Sequence, residues 1–257
     1  MIIALSGRAN SGKDLTAEII QYIMSGASEE IPFDDYNVWN LGLDEPFEIH
    51  KFADTLKDCC CLILGCDRKQ LEDREWKEKE LGEDWRKWTV TYHDPECRGV
   101  ADFASKEEAE YAISEDGEMW LAYEPDIKES VMTPRLLMQL IGTECGRQIL
   151  HPNIWVNSTL APYKPTALTW DCDGNTTSEK YPNWLITDCR FVNEADAVKA
   201  RGGVVIRVER GERDAVTHES ESALDAYLGF DHILYNNGSI SDLIYKVKIM
   251  LHQLKLA

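Results

Sequence analysis

Residues Gly7-Arg8-Ala9-Asn10-Ser11-Gly12-Lys13 fit the spacing G-x-x-x-x-G-K, and Asp14 stands where serine or threonine is usual. That spacing suits an anion. Glycines let the backbone wrap a phosphate, successive N–H groups turn inward, and a helix beginning beyond them adds the positive end of its dipole. Lys13 then reaches the outer phosphates of a nucleoside triphosphate. A carboxylate at Asp14 can hold Mg²⁺ directly or through a water, yet it adds negative charge beside a polyphosphate. Either the metal offsets that charge or Thr16 supplies the hydroxyl contact.

A second set of candidates lies far along the chain. Leu185-Ile186-Thr187-Asp188 ends an apolar run on a carboxylate. Open α/β sheets bind ligands beyond the carboxyl ends of their strands, and an acidic group there orients Mg²⁺ through its waters. Taken alone, the same aspartate reads better as a helix cap. Arg190, two residues on, adds a cation suited to a metal-bound phosphate. Thr133-Pro134-Arg135 and Gly142-Thr143-Glu144-Cys145-Gly146-Arg147 put two further arginines on one helical segment. They serve either as phosphate clamps or as surface partners for carboxylates, and Lys57 carries the same alternatives. Trp155 either stacks on a base or fills core.

These residues need elements to position them. Residues 2–5 are a short apolar run of buried-strand type, and Leu15, Ile19, Ile20, Ile23 and Met24 recur at helical spacing. The candidate loop therefore has a strand before it and a helix after it. Further strands are expected at 47–52, 184–187, 204–208 and 233–235, with helices at 54–64, 136–149, 194–201 and 240–254. Residues 72–88 read as one exposed, charged helix, 89–123 as a small helix-and-strand excursion, and 163–183 as a long loop rich in Thr, Pro, Asp, Asn and Gly. Strands alternating with helices predict an α/β fold, a parallel sheet with helices on both faces. One domain over residues 1–257 is expected, with an inserted acidic α+β region at about 67–129.

Composition narrows the function. The 257 residues carry a formal charge of −19, which argues against a grip on polymeric nucleic acid through its phosphates. Residues 67–129 hold 20 acidic and 10 basic side chains, read as a solvated face. The longest largely apolar run free of charge is 59–66, too short to span a membrane. Residues 1–5 lack a basic leader and run straight into Ser6-Gly7, which argues against a secretory signal. Eight cysteines without a C-x-x-C pair read as free thiols of a reducing, cytoplasmic setting rather than a zinc site.

With those residues in hand, the chain resembles the bacteriophage-type deoxynucleoside monophosphate kinases. The resemblance rests on residues 7–16, Phe52-Ala53-Asp54-Thr55-Leu56-Lys57, Gly142-Thr143-Glu144, Trp155-Val156 and Asp188-Cys189-Arg190-Phe191-Val192-Asn193-Glu194. His218-Glu219-Ser220-Glu221 and Asn236-Asn237-Gly238-Ser239 complete it. It implies a P-loop kinase fold, with Mg²⁺-dependent transfer of the ATP γ-phosphate to a deoxynucleoside 5′-monophosphate. It also implies a homodimer, in the host cytoplasm where the gene is phage-borne. On this chain Asn10, Ser11, Gly12, Lys13, Asp14, Leu15 and Thr16 would hold ATP phosphates, with Asp14 and Asp188 at the metal. Lys57, Gly142, Thr143, Glu144, Arg147, Trp155, Asp188, Arg190, Asn193 and Glu194 would form the monophosphate pocket. Arg135 would bridge donor and acceptor phosphates, acting with Lys13, Asp188 and Arg190 in catalysis. Ala9 and Asn10 depart from the basic residues often found in such loops, and Leu15 removes a hydroxyl. Another P-loop small-molecule kinase, for dephospho-coenzyme A, phosphomevalonate or a ribonucleotide, shares the loop and differs in the acceptor pocket. A nucleotide-binding switch without an acceptor, or a protein whose loop is incidental, are the more distant alternatives.

Overall fold

A computed structural model describes residues 1–27, 31–38, 46–93, 98–114, 123–170, 176–211 and 223–256. In chain order its elements begin with β1 (Ile2–Ser6), α1 (Lys13–Met24), α2 (Phe33–Val38), β2 (Glu48–His50), α3 (Asp54–Leu64), α4 (Arg68–Glu72) and α5 (Arg74–Glu78). A short 3₁₀ turn (Glu83–Trp85) leads to β3 (Lys87–His93), β4 (Arg98–Phe103), α6 (Lys106–Ala112), β5 (Tyr123–Ser130) and α7 (Pro134–Gln139). A π-helix (Leu140–Leu150) follows, then α8 (Ile154–Leu160), β6 (Ala167–Trp170), β7 (Thr176–Lys180), β8 (Trp184–Cys189), α9 (Val192–Lys199), β9 (Val204–Glu209), β10 (His232–Tyr235) and α10 (Ile240–Gln253). The chain divides into two units, Met1–Thr55 with His151–Ala257, and Leu56–Leu150.

In the first unit five strands form one parallel sheet in the order β10-β9-β1-β8-β2. β1 is central, and all five of its residues are buried, so its residues alternate between two apolar layers. Ile3 and Leu5 pack with Ile19 and Ile20 of α1 and Leu243, Val247 and Met250 of α10. Ile2 and Ala4 pack with Val156 and Leu160 of α8 and Ala195 and Val198 of α9. Helices therefore cover both faces, as the alternating pattern predicts. Each fully buried Ile or Leu contributes about 1.5–3 kcal/mol, so these two layers hold the sheet edges where the candidate residues sit.

Residues 163–183 depart from the expected loop. Ala167–Trp170 and Thr176–Lys180 pair as an antiparallel hairpin, β6 with β7. Residues 171–175 between them lie outside the described residues. Threonine favours strands whichever face it presents, and exposed Ser178, Glu179 and Lys180 give the strand no apolar alternation to read.

The second unit holds an antiparallel sheet in the order β4-β3-β5, with Val90 of β3 opposite Ala101 and Ile127. Its α-helix α6 starts at Ser105, whose hydroxyl accepts from Glu108 N–H. The expected helix over 72–88 is instead two short helices, a 3₁₀ turn and the start of β3. An aspartate cap explains the first break: Asp73 accepts from Trp76 N–H and starts α5, just as Asp67 accepts from Gln70 N–H to start α4. The segment expected to be helical over 136–149 begins as α7, N-capped by Thr133, then widens into π turns from Leu140 onward. Wide turns of this kind are rare and concentrate at functional sites.

Candidate phosphate-binding site

The first unit builds the loop at the carboxyl end of its central strand. Gly12 adopts φ +94 at the start of α1, a conformation suited to glycine. A Cβ on Gly12 would lie 2.3 Å from Asn236 Nδ2, and one on Gly7 2.4 Å from Val208 O. Neighbouring groups thus approach the turn too closely for a side chain. Lys13 Nζ donates to Gly7 O at 2.8 Å and Arg8 O at 2.7 Å, folding the lysine over the loop. Ser11 is 4% exposed, and its Oγ has no hydrogen-bond partner among the described residues. An orphaned buried hydroxyl beside a lysine and a helix N-terminus fits an anionic ligand.

Asp14 points outward, its side chain 77% exposed, with Lys51 Nζ at 3.7 Å. Thr16 is buried, and its Oγ1 donates to Gly12 O at 2.8 Å, back into its own helix. The accessible oxygen for a cation in this turn is therefore the Asp14 carboxylate. Leu15 packs against the α1 and α10 layer. Asn10 sits at φ +60, a conformation asparagine tolerates.

Residues distant in sequence hold the loop in place. Asn236, just past β10, donates from Nδ2 to Ser11 O at 2.9 Å and is 6% exposed. Asp225 accepts from Arg8 and, at 2.6 Å, from Arg207 NH2, whose side chain is 7% exposed. Arg207 NH1 also donates to Ser6 Oγ at 3.3 Å. Burial raises the Asp225 carboxyl, but the two guanidiniums outweigh it and hold the group below its ordinary value. Residues around Arg8, Ala9, Ser11, Glu209 and Arg210 line a small pocket beside the loop. Sequence reading misses Asp225 and Arg207 because nothing in their spacing links them. Asn236 belongs to the Asn236–Ser239 motif, but its residue type alone suggests no role there. Asn236→Ala is expected to cost about 1–2 kcal/mol of urea-measured stability and to weaken severalfold the binding of a phosphate anion at the loop.

Asp188, at the end of β8, accepts from Phe52 N–H at 2.7 Å through Oδ1 and from Ala53 N–H at 3.0 Å through Oδ2. Burial raises its carboxyl, while those two backbone donors and Arg190 pull it down. Asp188 thus fastens the turn before α3, a positioning task beside its expected metal role. Glu194 is buried, and one carboxylate oxygen accepts from Arg190 N–H and Phe191 N–H, capping α9. Asn193 donates to Pro152 O at 3.1 Å and Asn153 Oδ1 at 2.7 Å. Trp155 is 5% exposed, as a core residue would be. The structure therefore brings Asp188, Arg190, Asn193 and Glu194 together at the β8–α9 junction.

The second unit carries Lys57, Arg135, Gly142, Thr143, Glu144 and Arg147. Lys57 Nζ lies 2.5 Å from Glu72 Oε1, with Lys77 at 3.5 Å and Arg68 at 3.7 Å from the same carboxylate. Three cations share one acid in a strongly acidic chain. Burial raises Glu72, and Lys57 and Lys77 more than reverse it. Arg135 is paired with Glu78. Gly142 backs onto Leu56, where a Cβ would meet Leu56 Cδ2 at 2.9 Å. Thr143 and Arg147 are half-buried on the π-helix and Glu144 is exposed. Among the described residues no His, Cys, Asp and Glu cluster is built as a closed metal cage, and no helix is long and apolar enough to cross a membrane. Cys97, Cys172 and the 218–221 motif lie outside the described residues.

A parallel sheet ending in a glycine turn that folds its lysine over the backbone defines an α/β protein of P-loop NTPase type. Within that class, the chain belongs to the deoxynucleotide monophosphate kinase family, whose profile matches residues 97–247. It is 25% identical over 217 residues to the deoxynucleoside-5'-monophosphate kinase of Escherichia phage T5, covering 77% of this chain and 72% of that one. It is 29% identical over 121 residues to the deoxynucleotide monophosphate kinase of Enterobacteria phage T4, covering 47% and 46%. A protein of Acanthamoeba polyphaga mimivirus carrying the same family name is 30% identical over 126 residues, covering 46% of this chain and 61% of that one. The chain thus spans less than two thirds of the mimivirus and T4 relatives. The profile begins downstream of the phosphate loop and Lys57, and takes in Arg135, the π-helix and the β8–α9 junction.

Proposed function

We propose that the chain transfers the γ-phosphate of ATP to a deoxynucleoside 5′-monophosphate, giving the diphosphate and ADP. The observation that carries this reading is the Lys13-folded glycine loop at the end of β1 in a member of this kinase family. The acceptor phosphate is already anionic, so the reaction needs little proton transfer. What it needs is alignment of two anions and neutralisation of charge on the transferred group. Loop N–H groups and Ser11 Oγ receive the β- and γ-phosphates, and Lys13 exchanges its carbonyl partners for phosphate oxygens. Asp14 and the nucleotide's own phosphates would hold Mg²⁺, which supplies further charge neutralisation when bound.

On the acceptor side, Arg190 gives a guanidinium to the monophosphate while Asp188, Asn193 and Glu194 fix the turn that carries it. Lys57, Arg135, Thr143, Glu144 and Arg147 are the further acceptor residues that the family resemblance implies. For Lys57 and Arg135 this means exchanging Glu72 and Glu78 for phosphate oxygens. Residues 1–257 act as one kinase domain with 67–129 inserted, working in the host cytoplasm as a homodimer, a state that light scattering of the purified chain reads. An ADP-release assay with ATP and Mg²⁺ across the four deoxynucleoside monophosphates and their ribose counterparts tests the reading. Turnover with at least one deoxynucleotide supports it, and ADP release indifferent to every acceptor overturns it. Arg190→Ala is expected to lower kcat/KM more than about tenfold, since each 1.36 kcal/mol of transition-state binding is roughly tenfold in rate.

A further inference from the structure

The carboxyl end of α3 carries a feature that phosphate transfer does not use. Helix α3 ends at Leu64, and Gly65 follows in the left-handed region at φ +63. Cys66 N–H then donates to Cys61 O at 3.1 Å. A six-residue closure through a left-handed glycine is the Schellman motif, which sets a side chain of the last helical turn against the second residue beyond the end. Both positions are cysteine here. Burial raises the Cys66 thiol and the neighbouring Cys61 thiol raises it further, and both residues are half-buried free thiols.

Backbone geometry keeps the two residues close. An N···O link of 3.1 Å keeps the two Cα atoms within about 7 Å, given an N–Cα bond of about 1.46 Å and a Cα···O distance of roughly 2.4 Å. Disulfides span roughly 4.4–6.8 Å between Cα atoms. The bound reaches just past that range, so the helix end already holds the two cysteines at about the separation a disulfide needs. Cys60, in contrast, is fully buried, and its thiol is pushed up to about 11 by burial first and by its neighbouring thiols next. So high a value leaves it protonated and inert at neutral pH.

We propose that Cys61 and Cys66 form a reversible thiol–disulfide site whose co-reactant is a low-molecular-weight disulfide such as oxidised glutathione. One protein thiolate attacks the glutathione disulfide, forming a mixed disulfide and releasing one glutathione thiolate. The second protein thiolate attacks the protein sulfur of that bond, closing Cys61–Cys66 and releasing the other glutathione. Two protein thiols are oxidised, one disulfide is reduced to two thiols, and the two thiol protons pass to the departing thiolates. The bond pins the last turn of a helix that carries Lys57 one turn after its start, and excess reduced glutathione reopens it.

Alkylation counting on the full-length chain tests the site. Reduced protein is incubated with oxidised glutathione, quenched in acid, denatured and labelled with N-ethylmaleimide. The untreated chain takes eight labels, one per cysteine, and the treated chain is expected to take two fewer, with dithiothreitol restoring all eight. Trypsin cuts after Lys57 and Arg68, so Cys59, Cys60, Cys61 and Cys66 fall in one peptide whose fragment ions place the labels. Labels on Cys59 and Cys60 with an internal bond between Cys61 and Cys66 support the proposal. The bond is expected to persist in Cys59→Ser and to vanish in Cys61→Ser and Cys66→Ser. Full labelling of the treated wild type, a bond to another cysteine, or a bond surviving in Cys66→Ser overturns it. Mapping the wild-type peptide decides the matter even if a serine variant folds poorly.

Discussion

Replacing Lys13 with alanine is expected to lower turnover at least a thousandfold, roughly 4 kcal/mol at about 1.36 kcal/mol per decade, while the circular dichroism spectrum is unchanged. Lys13 opens α1 with its Nζ on two loop carbonyls, Gly7 O and Arg8 O, which water can serve instead. The apolar layers under the loop, Ile3 and Leu5 against Ile19 and Ile20, do not involve it. The charge facing the transferring phosphoryl group vanishes, and preorganised charge of this kind supplies most of the acceleration in such reactions. Lys13→Arg is expected to fail as well, because a planar guanidinium does not replace a compact ammonium in a closed turn. An ADP-release rate for Lys13→Ala above a tenth of wild type would take the lysine out of the reaction.

The second large effect falls on stability. Asp225→Ala is expected to cost about 3 kcal/mol in urea unfolding, because it leaves Arg207, 7% exposed in its side chain, without its closest carboxylate. Glu209 stands 3.8 Å from Arg207 and recovers part of the interaction. Asp225→Asn keeps an acceptor and should lose less. The carboxyl of Asp225 is held below its unfolded value, so its stabilisation is complete above about pH 4 and fades as pH falls through the depressed folded value. The gap between wild type and Asp225→Asn should therefore narrow only in that acid range. A gap that instead narrowed between about pH 6 and 8, where histidines titrate, would point away from this pair.

How much of this was legible in the chain depends on distance along it. The loop between β1 and α1 was readable because glycine, lysine and both flanking apolar patterns fall within 24 consecutive residues. Helix α3 was expected at its observed bounds, since its apolar face repeats at helical spacing. β8 and β9 were readable as apolar runs because a parallel sheet buries both faces. The β6–β7 hairpin was not, because polar strands carry no period-two signal. The helix expected over 72–88 hid a break at Asp73, which accepts from the N–H three residues on, a spacing that could have revealed it. Within the candidate site, the end of an apolar run pointed to Asp188 and the family resemblance to Asn193 and Glu194, but only the fold gives their hydrogen-bond partners. Asp188 serves two backbone donors and Glu194 closes a helix end. The Arg8–Asp225–Arg207 group was illegible for a simpler reason: three loop and strand positions meet only after the sheet has assembled.

Strand β1 also bears on how the protein is made. Its first residues pair on one side with Trp184 and Leu185 and on the other with Val204 and Val205. A ribosome must therefore release everything from α1 through β8 before this strand gains either neighbour. Such high contact order slows folding and lengthens the interval in which a sticky apolar stretch stands unguarded. Chaperone dependence during synthesis, and slow recovery after dilution from denaturant, are the expected costs of placing a strand in the middle of the sheet so far ahead of its partners.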